Sequence, residues 1–433
     1  MLLVYSHKIT PRVRYTFRQI CTHILGVEVD FTNKIETFVA HQDAKLSYGK
    51  QPLGTELFIE STSLLFESGF SSLEIDVRKW EGTQCFFASK LSDAALPFDI
   101  FAASFYLLTR YEEYFPHVKD EYGRFKATES LAYKHGFLQQ PVVDMWALTF
   151  KKVLLSRFPN LHFNSKRFSI RPIVSVSQAF AYKEKGILRN LGGIVRDVSK
   201  IKFKRISSRI KVLLGLKKDP FNTFDFILNF QRANKKKLTF LFGLGDYSNF
   251  EKSVGSTRAK HCALIKSVAD YADVGLRVSY AGVSDVEVLK EEKLRLESIT
   301  HRQLVHTQCS HYKLNLPETY RNFVEMEVVE DYSMGYPDNA GFRAGTCTPF
   351  LFYDLDYEVQ TPLWVYSFCF TNNAFKMIKE VTDAKNRIEE LLRSVERVDG
   401  LFIPVFSNGL FVATKRGLFW RAIFEFIWRN NNV

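Results

Sequence analysis

The chain has 433 residues, of which 46% are hydrophobic and 15% aromatic, and it carries a formal charge of +12. That length exceeds one ordinary domain, and that apolar content excludes a disordered chain. No uninterrupted apolar run approaches the roughly 20 residues that a membrane-spanning helix needs.

The opening Met1-Leu2-Leu3-Val4-Tyr5 meets His7 and Lys8, too short an apolar run for a secretory signal, so a cytoplasmic location is expected. Thr10-Pro11 starts a helix, with Thr10 as cap, and Gly26 stops it after Val13, Phe17, Ile20, Ile24 and Leu25 line one face. Strand-like runs follow near 27–31, 56–60, 73–77 and 84–88. Apolar periodicity then predicts helices over 99–114 and 141–157. Pro159-Asn160 breaks the chain and sets a boundary at 158–168, so residues 1–160 are expected as a small N-terminal α+β domain of unknown role.

From 168 to 433 strand and helix signals alternate. Strands are predicted near 170–176, 238–242, 275–280, 303–307, 328–334, 361–369 and 401–406. Helices are predicted near 221–234, 257–273, 284–300, 317–326, 382–398 and 415–428. Alternation of this kind implies parallel strands with crossover helices, hence an α/β sheet or β/α barrel whose reactive groups sit just beyond the strand ends.

Much of the positive charge sits in one amphipathic insertion at about 190–220. Residues 196–219 hold Arg196, Lys200, Lys202, Lys204, Arg205, Arg209, Lys211, Lys217 and Lys218 against Asp197 and Asp219. Interleaved Val198, Ile201, Phe203, Ile206, Ile210, Val212, Leu213 and Leu214 suit either an anionic membrane surface or acidic partner, or a solvated helical excursion packed on its own domain. Lys200, Lys202, Lys204, Arg205 and Arg209 are the candidate surface-binding residues, and Leu191-Gly192-Gly193 the expected hinge. The six cysteines form no Cys-x-x-Cys pair and read as free thiols, mostly in the core.

Several runs resemble the polysaccharide deacetylase (NodB-like carbohydrate esterase) family, especially bacterial members with an uncharacterised domain ahead of the deacetylase-like part. They are Leu96-Pro-Phe-Asp-Ile-Phe-Ala-Ala-Ser-Phe-Tyr-Leu-Leu-Thr-Arg-Tyr-Glu-Glu-Tyr114, Ala179-Phe-Ala-Tyr-Lys-Glu-Lys-Gly186, Leu316-Pro-Glu-Thr-Tyr-Arg-Asn322, Glu330-Asp-Tyr-Ser-Met-Gly-Tyr336 and Gly341-Phe-Arg-Ala-Gly-Thr-Cys-Thr-Pro-Phe350. The resemblance implies a distorted β/α barrel with a divalent metal such as zinc. It also implies an Asp-x-Asp pair on the first barrel strand, two histidine ligands and a last-strand histidine acid. In this chain those positions fall on Ser175 and Ser177, on Arg277 and Ser310, and on Ser407.

Serine hydroxyls are weak neutral ligands and cannot act as bases at neutral pH, while a guanidinium repels a cation. A metal supplies several kcal/mol by polarising a carbonyl and activating water. The expectation is therefore a pseudoenzyme that binds a glycan or a protein partner, with no catalytic residues and no bound zinc. Its degenerate pocket would be built from Ser175, Ser177, Arg277, Ser310, Asp331, Arg343 and Ser407, with Arg343 either touching a ligand or forming a structural ion pair. Arginines in such a pocket favour an anionic glycan or sugar precursor linked to surface polysaccharide.

Two rival readings stand beside this one. The first is an active metal-dependent de-N-acetylase with a rearranged site. His301, His306, His311 and Cys309 are the residues available for it, but their spacing does not gather more than two on one strand face. The second is a membrane-surface or nucleic-acid-associated scaffold acting through 196–219, with nucleic acid the less favoured partner. No Gly-x-Ser-x-Gly elbow occurs, and Gly243-Leu-Gly245-Asp246 reads as a tight turn rather than a phosphate loop.

Overall fold

The computed structural model describes residues 1–164, 166–234, 237–248, 250 and 258–429. Near the N-terminus, β1 (Leu2–Tyr5), β2 (Val29–Thr32), β3 (Lys45–Gly49) and β4 (Leu57–Glu60) form a sheet in the order β2-β1-β3-β4. All three pairings are parallel, with helical connections from β1 to β2 and from β2 to β3 and a short loop from β3 to β4. The expected strand at 73–77 is absent, and a short strand at Arg78–Trp80 pairs with Thr83–Cys85 instead.

Three helices pack beside that sheet: α1 (Pro11–Phe17), α2 (Ile100–Leu108) and α3 (Val142–Arg157). Thr10 caps α1, its hydroxyl accepting from Val13 N, and a π-helical stretch carries the chain on to Ile24. Asp99 caps α2, and Arg110, held in the left-handed region at φ 54°, turns the chain out of it. The rings of Phe17 and Phe101 stack at 3.6 Å, and Phe150 meets Phe101 edge-on at 5.6 Å. These three rings tie α1, α2 and α3 into one core.

The second sheet has nine strands. Six parallel ones are β5 (Ile173–Val176), β6 (Thr239–Gly243), β7 (Asp273–Val278), β8 (His306–Cys309), β9 (Glu330–Asp331) and, late in the chain, β13 (Pro404–Ser407). Between β9 and β13 come β10 (Phe350–Asp354), β11 (Val359–Val365) and β12 (Phe370–Thr371), giving the order β10-β11-β9-β8-β7-β6-β5-β13-β12. Only the edge pair β10/β11 is antiparallel. All residues of β5 and β6 are buried, as expected of parallel strands covered on both faces.

The row β9-β8-β7-β6-β5-β13 is flanked at both ends by one run of chain. β11 pairs β9, and beyond it Tyr366 N donates to Asp331 O and Phe368 N to Met334 O. Cys369 N then donates to Ile403 O, and β12 pairs β13. The sheet is therefore curled, with residues 359–371 spanning from one end of the row to the other. Inside the curl Ile173, Leu241, Tyr332, Phe368, Ile403 and Val405 form a small apolar plug, separate from the main core.

Outside the sheet lie α6 (Phe224–Asn234), α7 (Ala259–Ala269), α8 (Val286–Thr300), α9 (Glu318–Glu325), α10 (Val381–Glu396) and α11 (Lys415–Arg429), close to the expected positions. Residue 257, the expected start of α7, is outside the described residues. Earlier in the chain, α4 (Ile187–Ser199) and α5 (Phe203–Leu213) form the basic insertion as a helical hairpin. The glycines expected to hinge it lie inside α4. The turn is made at Lys200–Lys202, where Ile201 adopts φ 54°.

Residues 341–348 join α3 and the turn before it to the second sheet, with Phe342 N donating to Leu138 O and Gly341 N to Cys369 O. Buried Asp144 accepts from Thr346 Oγ1 at 2.7 Å, Cys347 N at 3.0 Å and Thr348 Oγ1 at 2.5 Å. Gly341, at φ 142°, lies against Leu138, where a Cβ would strike the Leu138 carbonyl. Five of the six cysteines are buried and all are free thiols.

Candidate functional site

Side chains two residues apart on a strand share a face. Ile173, Leu241 and Val405 point into the plug, so Ser175, Gly243 and Ser407 occupy the next layer, at the C-terminal ends of β5, β6 and β13. Ser407 stands beside Ser175 in the ladder, and Arg277 on β7 stands beside Gly243. Gly243 has no side chain to crowd that layer, and a Cβ there would sit 3.7 Å from the Arg277 guanidinium. The layer opens into a cavity of about 340 Å³ lined by Ser175, Ser177, Arg277 and Ser407. Four of the seven residues expected to build the pocket thus meet in one place.

Ser310, Asp331 and Arg343 are not among the lining residues. Ser310 is fully buried in the turn that follows β8, and its neighbours Cys309 and His311 reach the cavity instead. Asp331 is buried and saturated, accepting from Ser333 N at 2.8 Å, Ser333 Oγ at 2.7 Å, Tyr320 OH at 2.9 Å and Thr307 Oγ1 at 3.3 Å. Burial outweighs those donors and pushes its carboxyl up to about 6. Its role is to join the loop after β9 to α9.

Arg343 is the structural ion pair, not a ligand contact. Its Nη2 donates to Glu113 Oε2 at 2.5 Å and its Nε to Glu113 Oε1 at 2.9 Å. Arg110 Nε donates to the same Glu113 at 2.7 Å and its Nη1 to the Arg343 carbonyl. Burial alone would raise the Glu113 carboxyl, but the two guanidiniums bring it down to about 2. Tyr336, whose hydroxyl accepts from Arg110, and Phe342 are buried in the same region.

Sequence reasoning missed the other wall of the cavity. The loop Asp120–Arg124, which precedes β5 by a long stretch of chain, supplies Glu121, Tyr122 and Arg124. Asp120 Oδ1 accepts from Tyr122 N and Arg124 N, and Gly123 takes φ 76° to close the turn. Arg124 reaches across to Asp338 at 3.0 Å and to the His311 carbonyl at 3.0 Å, while Tyr122 stacks on the His311 ring at 4.5 Å. The Asp-Glu-Tyr-Gly-Arg run was a visible turn signal, but nothing in it named its destination.

His311 and Tyr312 adopt φ 54° and 58°, conformations that cost non-glycine residues about 1–3 kcal/mol and persist where surrounding contacts enforce them. The stack on Tyr122 and the Arg124 bond to the His311 carbonyl are two such contacts. Pro337, Asp338, Asn373 and Lys376 complete the lining. Arg124, Arg277 and Lys376 face Glu121 and Asp338, a small cationic surplus, with Arg124 and Asp338 already paired.

The donor set does not fit a divalent cation. Its serine hydroxyls, Arg277 and Lys376 bind no cation; of the other groups Asp338 is held by Arg124 and the His311 ring is stacked on Tyr122, which leaves Glu121 and Cys309, short of the four ligands of a structural site. Burial, and then the charge of Asp331, pushes the Cys309 thiol well above its usual range, and burial lifts the Tyr312 phenol to about 12. Among the described residues no three His, Cys, Asp or Glu side chains gather as a metal cluster. His306 turns instead to Glu330, 3.0 Å away, and His301 ends α8 at φ 54°.

Residues 2–159 match a family of unknown function, DUF7033. No curated protein matches. Among solved structures, a putative polysaccharide deacetylase from Mycobacterium smegmatis is 11% identical with a TM-score of 0.40, covering 62% of this chain and 87% of its own. A CE4 family pseudoenzyme from Bacillus anthracis (BA3943) is 8% identical at a TM-score of 0.29, covering 62% and 63%. Puue allantoinase is 11% identical at 0.36, covering 59% and 84%. At these scores the likenesses assign nothing to this chain.

Proposed function

We propose that the chain is a non-catalytic relative of polysaccharide deacetylases that binds an acidic glycan or sugar precursor in the cavity at the ends of β5, β7, β8 and β13. The reading takes residues 168–433 as a distorted β/α barrel closed by the run 359–371. It takes residues 1–160 as a separate domain whose 120–124 loop completes the pocket wall. One observation carries it: Ser175, Ser177, Arg277 and Ser407, each standing where the family resemblance places a catalytic or metal-binding group, converge on one cavity.

The chemistry of those side chains favours binding over hydrolysis. Hydrolysis of an amide needs a base to take a proton from water and a positive centre to draw the carbonyl electrons. No serine supplies the base; of the two lining carboxylates Asp338 is engaged by Arg124, and were Glu121 or His311 to take the proton, no metal cluster among the described residues would stand beside it to polarise the carbonyl. A carboxylate-bearing sugar, by contrast, finds the Arg277 guanidinium and Lys376 ammonium for its charge and three serine hydroxyls for its ring oxygens. The aromatic wall of Tyr122, stacked on His311, suits an apolar sugar face.

The test is calorimetric titration with oligogalacturonate and with neutral N-acetylglucosamine oligomers. The acidic oligomer should bind more tightly, and Arg277→Gln should weaken it about 10- to 150-fold, the worth of a charge-assisted hydrogen bond. Equal binding of both oligomers by wild type and variant would refute the reading. Chelator-sensitive acetate release from the neutral oligomers would favour an active enzyme instead.

A further inference from the structure

The α4–α5 hairpin is folded inside out. Its buried residues are Asn190, Asp197, Arg209 and Val212, three of them polar. Most of its apolar residues face solvent: Leu188 is 85% exposed, Val195 70% and Ile201 75%, while Val212 is buried and Ile194 and Ile206 are half-buried. On α4 the positions 188, 191, 195 and 198 form one helical stripe, and on α5 positions 203, 206, 210 and 213 form another. A solvated excursion would place these stripes inward.

Polar contacts fix this arrangement. Arg209, expected as a surface contact, is instead the internal bond of the hairpin, donating to Asp197 Oδ2 at 2.8 Å and Asn190 Oδ1 at 3.2 Å, with its guanidinium over the Tyr182 ring at 4.6 Å. Gly193 leaves room for that guanidinium, which a Cβ would strike. At the base, Asp219 accepts from the backbone N–H groups of Ala181, Tyr182, Lys183 and Phe221, pinning the two ends of the insertion together. The outward apolar face is therefore held in place by the fold.

Charge decides what covers it. Between Ile187 and Lys218 the only acidic residue is Asp197, buried against Arg209. Lys200 and Lys202 are exposed at the turn between the two stripes, and Arg196, Lys204, Arg205, Lys217 and Lys218, exposed for the most part, edge the space beneath the hairpin. A second copy would bring the same cations and be repelled. Nucleic acid needs the cations, but the outward stripes are almost wholly aliphatic and offer it little to stack on. An apolar stripe bordered by lysine and arginine matches the headgroup boundary of an anionic bilayer.

We infer that the α4–α5 hairpin is a membrane-docking element that lays its apolar stripes into the surface of an anionic lipid bilayer. Asn408, directly after Ser407, donates to Gln178 O, and Thr223 donates to Asn408 O, so the base of the hairpin adjoins the cavity described above. Docking would hold that cavity close to the lipid surface.

The test is co-sedimentation of the full chain with vesicles of phosphatidylcholine alone and with about a third phosphatidylglycerol. Wild type should pellet with the anionic vesicles and not the neutral ones, and rising salt should release it. Leu188→Ser with Val195→Ser should lower binding at least tenfold without moving the urea midpoint, because both side chains are already in water. Lys200→Gln with Lys204→Gln and Arg205→Gln should lower it similarly, whereas Arg277→Gln should not change it. Absence of wild-type binding to anionic vesicles would overturn the inference, as would serine variants that bind like wild type. So would a vesicle-free dimer, or an RNA complex, that the serine variants abolish while vesicle binding persists.

Discussion

Replacing Glu113 by glutamine tests how the segment carrying Arg343 is held. Two guanidiniums, Arg110 and Arg343, and two carboxylates, Glu112 and Glu113, balance in this cluster, and neither arginine side chain is more than 1% exposed. Glu113→Gln leaves one buried positive charge uncompensated, a change that typically costs 3–5 kcal/mol. The pKa gives a consistent figure. A carboxyl brought from its usual 4.5 down to about 2 contributes roughly 3 kcal/mol of stability above pH 4.5. That contribution fades as pH falls from about 4.5 through about 2, since the protonated acid then resembles glutamine. Urea unfolding of both proteins at pH 7 and at several lower values should therefore show a gap of about 3 kcal/mol that narrows with acid. A gap below about 1 kcal/mol at pH 7, or one independent of pH, would refute the pairing.

Two other substitutions probe the sheet and the buried carboxylate. Gly275→Ala should destabilise by about 3 kcal/mol in the same assay, because a Cβ in β7 would meet both the His306 carbonyl and Leu241 Cδ2; a neutral result would mean the strands sit further apart. Asp331, raised to about 6, opposes folding once ionised, so its contribution falls as pH rises from about 4 to about 6. Asp331→Asn should remove that decline, worth roughly 3 kcal/mol, from the pH profile of stability; an unchanged profile would contradict the burial argument.

The alternation of strands and helices after residue 168 was legible because parallel strands buried on both faces leave continuous apolar runs such as Ile173–Val176 and Thr239–Gly243. Antiparallel β10 was missed, since Phe350–Asp354 carries no turn-flanked alternation that separates it from the loop before it. Ser175, Ser177, Arg277 and Ser407 were legible because the family resemblance picks them out, and each lies at or beside the C-terminal end of a strand of the same sheet. Asp331 also ends a strand, and Arg343 lies in the loop between β9 and β10, yet Tyr320 and Glu113, with which they pair, come from outside the sheet, and sequence spacing carries no record of such pairings. The same holds for Tyr122 and Arg124, which reach the cavity from a loop ahead of the sheet that holds it. In the insertion, composition revealed an amphipathic segment but not which face turns inward, because that is decided by Asp197 meeting Arg209 across two helices.

The central claim, that the cavity has no cation-dependent chemistry, is tested most directly by loading the purified protein with zinc, dialysing it, and measuring retained metal alongside acetate release from N-acetylglucosamine oligomers. The account predicts no stoichiometric zinc and no acetate above the buffer rate. A stoichiometric, chelator-removable metal with acetate release that rises and falls with it would contradict the account.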